Sequence, residues 1–279
     1  MRVRDSGMDA STVIGLLHPG EMGAEVGRCL AGRGHLVLWA SHGRSEQTAT
    51  RAARAGLTDA GTAADLAGRA DVIISVCPPH GALDVARSVR GFGGVYVDAN
   101  AISPATARRV AEIVTGGGAR YVDGGIIGPP PAEPGSTRLY LSGQDSGLAA
   151  RLFDGTPLDA RSIPGSPWAA SAVKMAYAAW TKGSAALLLA IRALAEREGV
   201  AQALLAEWNL SQPGIEVRSG QAARSATSKG WRWVAEMEEI AATMAEVGLP
   251  EGFHLAAAEI YRLASKPAAV QDSAPTEHV

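Results

Sequence analysis

Three glycines within nine residues carry the first chemistry that can be read from this chain. The apolar run up to Leu17 passes through Gly15-Leu16-Leu17-His18-Pro19-Gly20-Glu21-Met22-Gly23. A strand that turns on glycine into a helix leaves unbonded amides and the positive end of the helix dipole aimed at one spot. Such a spot attracts a pyrophosphate. Gly20 lets the backbone approach the phosphates, and Gly23 allows close packing of helix on strand. The strict G-x-G-x-x-G spacing fails at its first glycine, where His18 stands. Glycine turns of this kind also occur without ligands. The strand-turn-helix setting at the front of an alternating segment favours the phosphate reading, with Gly15, His18, Pro19, Gly20, Glu21, Met22 and Gly23 as the contacts.

The end of the second strand discriminates between the two nicotinamide dinucleotides, because an acid there holds the ribose 2′-hydroxyl. Here the residues are Trp39-Ala40-Ser41-His42-Gly43-Arg44-Ser45, without an acid. A 2′-phosphate would meet Arg44, with Ser41, His42 and Ser45 nearby, and a guanidinium suits a phosphate dianion. The expectation is NADP(H). The competing reading of Arg44 is a solvated residue at a helix start.

Lys174 is the candidate for proton transfer. It stands in the apolar stretch Ala172-Val173-Lys174-Met175-Ala176-Tyr177-Ala178-Ala179-Trp180. A partly desolvated lysine can have its pKa lowered into a useful range, while a snorkelling surface lysine is the plain alternative. Lys182, eight residues on, shares its helix face and is the second candidate. Its glycine and serine neighbours suggest a wetter site. Tyr177 and Trp180 read as pocket wall or core. Asn100 can orient a substrate or a nicotinamide carboxamide by hydrogen bonds, or stabilise a turn at a strand end. Cys77 and Pro78, at another strand end, are expected beside the cofactor, with Cys77 buried and inert. His80 is placed to start a helix near the cofactor. His254 and Glu259 lie in a helix that either reaches a neighbouring subunit or serves packing. The sequence holds no G-x-S-x-G elbow, no H-E-x-x-H or C-x-x-C metal spacing and no Walker lysine motif.

These residues need a scaffold, and the first 145 positions supply one. Strand-like runs are read at 12–17, 36–39, 71–76, 95–98, 120–123 and 138–141. Helix-period segments alternate with them at 21–34, 44–55 and 104–114. Such alternation predicts an α/β domain, a doubly wound, mostly parallel Rossmann sheet covered by helices on both faces, over residues 11–165. Beyond Pro164-Gly165-Ser166-Pro167 no strand-like run remains. Residues 169–198 keep helical periodicity for about eight turns, and further helices are expected at 201–210, 229–247 and 253–264. The second domain, 166–279, is therefore all-α. It is small for an independent core, and its long helix and apolar faces predict a homodimer. The active site is expected in the cleft between the domains. The polar tail from Lys266 is read as disordered.

Composition excludes several function classes. The chain has 279 residues, a net charge of −2 and no basic block, so nucleic acid is not an expected partner. No apolar run reaches membrane-span length, and Met1 to Ser11 is too polar for a signal peptide. Two cysteines, Cys29 and Cys77, make no disulfide framework and fit a reducing cytoplasm.

The quoted segments also resemble a known family. The turn is similar to the G-x-x-G-x-G-x-M-G fingerprint of the β-hydroxyacid dehydrogenase and 6-phosphogluconate dehydrogenase superfamily, supported by Met22-Gly23 and by Pro78-Pro79. Asp98-Ala-Asn100-Ala-Ile-Ser103-Pro104 resembles its D-x-S-T-I-S-P segment beside the nicotinamide. Asp123-Gly-Gly-Ile-Ile-Gly128-Pro129 resembles its D-A-P-V-S-G-G substrate loop. Lys174 falls where the family places its catalytic lysine. The resemblance extends over almost the whole chain after Ala10, and is greatest to a subgroup whose C-terminal domain has no assigned function. Departures concentrate in the substrate half: Ile127 for the loop serine, Pro129 for its second glycine, Asn100 and Ala101 for the serine and threonine, Ala178 for an asparagine, and Ala235-Glu236 for a Lys-Asp pair. The resemblance implies an NADPH-dependent oxidoreductase acting on a small-molecule carbonyl or alcohol, with Lys174 and Asn100 as catalytic candidates. An imine reductase is the alternative enzyme, and a non-catalytic dinucleotide sensor the alternative from another class.

Overall fold

The computed structural model describes residues 12–264. Eight strands, β1 to β8 in chain order, are Val13–Leu17, Leu36–Trp39, Thr58–Asp59, Val72–Ser75, Val95–Asp98, Arg120–Ile127, Thr137–Ser142 and Leu158–Ser162. They form one sheet in the order β3-β2-β1-β4-β5-β6-β7-β8. All neighbours are parallel except β6 and β7. The helices are α1 (Glu21–Gly32), α2 (Glu46–Arg54), α3 (Ala63–Arg69), α4 (Ala82–Ser88), α5 (Pro104–Thr115), α6 (Ser146–Arg151), α7 (Ala169–Arg197), α8 (Ala201–Ser211), α9 (Ile215–Glu246) and α10 (Gly252–Ala264).

Side chains of a strand alternate between the two faces of a sheet, and here both faces are covered. Ile14, Leu16, Val72, Ile74, Val95 and Val97 pack with Val26 and Leu30 of α1, Ala52 of α2 and Ala149 of α6. Leu17, Ile73 and Tyr96 pack on the other side with Leu66 of α3, Ala86 of α4 and Val110 and Val114 of α5. Burial on both faces is why the strands read as unbroken apolar runs. The chain divides into two compact units. Among the described residues, one comprises 12–178 together with Ala242–Gly248; the other comprises Ala179–Ala241 together with 249–264.

Several elements were not foreseen. The edge strand β3 has two residues, too few to show a period. Helix α3 is announced only by its capping box, in which Thr62 and Asp65 satisfy each other's backbone amides. Helices α4 and α6 and strand β8 are similarly short. Strand β6 runs on to Ile127 through Gly124-Gly125, where a stop at Asp123 is expected. The glycines are kept there for closeness: a Cβ on Gly124 would lie 2.7 Å from the Asp98 carbonyl oxygen, and one on Gly125 2.8 Å from that of Ala170. Helix α9 starts at Ile215, not near Lys229. Its buried stripe of Ser219, Ala222, Ala226 and Gly230 is made of small residues, which carry little hydrophobic signal. The segment from Lys266 lies outside the described residues.

Candidate active site

The glycine turn forms between β1 and α1. Gly20 is the N-cap of α1 and no side chain caps that end, which leaves the first-turn amides for a ligand. Gly23 is required by space, since a Cβ there would lie 2.5 Å from the His18 carbonyl oxygen. A Cβ on Gly20 would meet only His18 Cδ2, at 3.8 Å, so that side of the backbone is open. Gly15 has a packing role, because a Cβ would drive into Leu66 Cδ2 at 2.3 Å. The fit to a dinucleotide pyrophosphate is therefore carried by open backbone and uncapped amides.

Beyond β2, Arg44 Nη1 donates to His18 Nδ1 at 2.9 Å. Burial, with help from the positive charge of Arg44 and from His80, lowers the pKa of His18. The imidazole is thus held neutral and able to accept. Ser45 caps α2 by accepting the Thr48 amide at 3.3 Å. The His42 amide donates to the Gly61 carbonyl at 3.0 Å. Ser41 is hydrogen-bonded to Asp59, whose pKa is lowered by the Gly61 amide first and by Ser41 second. Asp59 is a neighbour of this loop that the sequence reading missed. It is 20 residues from Trp39 in sequence and its register partner in the sheet. An acid closing the strand-like pair Thr58-Asp59 is the only local signal.

Asn100 is 2% exposed. Its Oδ1 accepts the Cys77 amide at 2.6 Å, its Nδ2 donates to Ser75 Oγ at 3.1 Å, and its own amide donates to Asp98 Oδ1 at 3.1 Å. This is the geometry of a clamp across the ends of β4 and β5, the turn-stabilising reading of Asn100. Cys77 is buried, as expected; burial pushes its thiol up to about 12, and Asp98 adds to the shift. His80 falls in the short 3-10 turn Pro79–Gly81 ahead of α4.

Asp98 is fully buried. Burial lifts its carboxyl to about 7 against the pull of the Asn100 amide, and Asp123 contributes to the rise. Unfolded, the group titrates near about 3.9. Between these values the folded chain holds a proton that the unfolded chain has released, so this group's stabilisation is lost as pH rises through the window. In thermal melts from pH 4.5 to 8, wild type should therefore lose ground to Asp98→Asn up to about pH 7, by at most about 1.4 kcal/mol per pH unit. The gap should be constant above that. A gap that does not vary with pH would mean that Asp98 is ionised throughout.

Lys174 is positioned by a second clamp. Asp123, at the middle of β6, accepts the Ser171 amide at 2.7 Å and the Ser171 hydroxyl at 2.5 Å. Ser142 of β7 accepts the Ala170 amide at 3.0 Å. The first turn of α7 is thus capped from the sheet, with a carboxylate at the positive end of the helix dipole. Gly125 permits the close approach, since a Cβ there would lie 2.9 Å from Lys174 Cβ. One turn on, the half-buried Lys174 donates from Nζ to the Ile126 carbonyl at 2.9 Å.

Met175 is buried at 1% exposure, whereas Tyr177 and Trp180 are 47% and 70% exposed in the single chain and are not core; Trp180 lines a cavity, in keeping with the pocket-wall reading. Lys182, expected in a wetter site, has a side chain that is 18% exposed, ion-paired with Glu236 and 5.5 Å from the Trp233 ring centre. Both partners come from α9, more than fifty positions away. His254 packs within its own unit, Nε2 lying 3.5 Å from the Ala179 carbonyl, and Glu259 pairs with Arg262.

Comparison with known proteins places the chain in a family. Residues 12–150 match the NAD binding domain of 6-phosphogluconate dehydrogenase. Residues 195–264 match a domain of unknown function, DUF1932. A conserved protein of unknown function, itself structurally similar to 3-hydroxyacid dehydrogenases, is 27% identical with a TM-score of 0.66, over 91% of this chain and 100% of that one. The Mycobacterium tuberculosis 3-hydroxyisobutyrate dehydrogenase with L-serine is 21% identical with a TM-score of 0.66, over 91% and 93%. The Aspergillus terreus reductive aminase with NADPH and ethyl levulinate is 21% identical with a TM-score of 0.57, over 91% and 93%. The last two share the fold. No curated protein matches the chain.

Proposed function

Because the chain belongs to the 6-phosphogluconate dehydrogenase-like superfamily of NAD(P)-dependent oxidoreductases, we propose that it is an NADPH-linked enzyme that interconverts a small-molecule carbonyl and its alcohol. The observation that carries this reading is Lys174, clamped through α7 to β6 with its ammonium on the Ile126 carbonyl. Bound NADPH supplies a hydride. Lys174 gives a proton to the oxygen that gains charge when the hydride arrives, and takes it back in the oxidative direction. Asp123, Ser142 and Gly125 fix the turn from which the lysine reaches. The choice of NADPH rests on Arg44 and on the lack of an acid in Trp39 to Ser45, and the reductive aminase of the same fold also holds NADPH.

The substrate is proposed to lack a carboxylate. Ile127 has no polar side-chain atom, and Asn100 is 2% exposed with its amide already engaged by Cys77 and Ser75, so the two positions that face a carboxylate in the resembling family offer it little. That same observation supports C=N reduction as the second reading. The test is NADPH oxidation with simple ketones and with cyclic imines, and NADP+ reduction with 3-hydroxyacids. Ketone turnover supports the first reading, and imine turnover alone would replace it with the second.

The working form is proposed to be a homodimer built on the second unit. Trp180, Leu187 and Phe253 are 70%, 58% and 80% exposed and edge a cavity of 290 Å³ between α7 and α10. Exposed apolar surface of this kind marks an interaction face. Light scattering at micromolar concentration should give twice the chain mass of 28.7 kDa, and a monomer would overturn the proposal.

A further inference from the structure

His18 has φ +70°, whereas every other positive-φ residue among those described is a glycine. A side chain in this region is strained, although histidine enters it more readily than most residues. Glycine would relieve the strain. Strain of this kind persists where the side chain has a task.

The task is visible in the contact. The imidazole Nδ1 accepts from Arg44 Nη1 at 2.9 Å, across 26 residues of sequence. It joins the loop after β1, proposed to face the pyrophosphate, to the loop after β2, proposed to face the adenosine ribose. Arg44 is otherwise on an exposed loop, where a long side chain loses much conformational freedom when it grips a ligand. A guanidinium has five N–H donors, so one can be given to His18 and others to a phosphate. The neutral state of His18 matches the acceptor role, which requires the ring proton on Nε2.

We infer that His18 is a positioning residue for NADPH selectivity: it holds the Arg44 guanidinium ready for the adenosine 2′-phosphate, and its strained backbone is retained for that purpose. The inference rests on the assignment of Arg44 to the 2′-phosphate.

Adenosine 2′,5′-bisphosphate and 5′-AMP isolate the 2′-phosphate from the rest of the cofactor, so calorimetric titration of the purified protein with both gives a selectivity ratio independent of turnover. Three variants decide. His18→Gly should melt no lower than wild type, because the strain is relieved, and should lose roughly three- to tenfold of the ratio, the scale of one hydrogen bond. His18→Asn tolerates positive φ and carries its Oδ1 close to the place of the imidazole nitrogen; it should keep most of the ratio. Arg44→Ala should lose more than either. A full ratio in His18→Gly, with loss in Arg44→Ala, would overturn the inference and leave the NADPH assignment intact. Equal loss in His18→Gly and His18→Asn would also overturn it. A full ratio in Arg44→Ala would remove the NADPH assignment, and the inference with it.

Discussion

Replacing Lys174 by alanine should slow turnover about a hundredfold or more while NADPH affinity changes little. A general acid contributes about 10² to 10⁴ in rate, and a group that acts only in the transition state lowers kcat and kcat/KM together. The substitution leaves the Asp123–Ser171 clamp and the glycine cradle in place. Loss of rate is therefore separable from loss of structure by melting temperature and by direct NADPH titration. Lys182→Ala provides the contrast. It strips the largely buried Glu236 of its ammonium partner, so it should lower the melting temperature, because a buried charge left unpaired is costly. Its turnover per folded molecule should fall far less than that of Lys174→Ala. If Lys174→Ala keeps near-normal turnover, the proton comes from another group and C=N reduction becomes the better reading.

Arg44→Ala should weaken NADPH binding by roughly 1.5 to 3 kcal/mol, the range for a hydrogen bond to a charged group, and leave NADH binding nearly unchanged. Only the 2′-phosphate distinguishes the two ligands, so the difference isolates its contact. Arg44 is exposed, so the NADPH advantage of wild type should shrink as salt is raised. Equal losses for both cofactors would show that Arg44 holds a part they share, such as the pyrophosphate.

What the sequence determined by itself was decided over short distances. The strands buried on both faces were legible as apolar runs, and Val95–Asp98 ends where expected. The glycine turn, the proline at the first turn of α5 and the length of α7 followed from spacing and local chemistry. The candidate list for the cofactor also came from sequence, because a phosphate cradle is contiguous. Tertiary structure decided what each candidate touches. Asp59 lies beside the end of β2 only because β3 pairs there. Asn100 is engaged by groups 23 and 25 residues away. Ser45 is occupied by the helix it begins. Lys182 is paired because α9 brings Trp233 and Glu236 across it. Lys174 acquires its place from Asp123 and Gly125, each about fifty positions away. A residue's type and neighbours set what chemistry it can do; its charge state, exposure and remaining donors depend on partners that only the folded chain brings within a few ångströms.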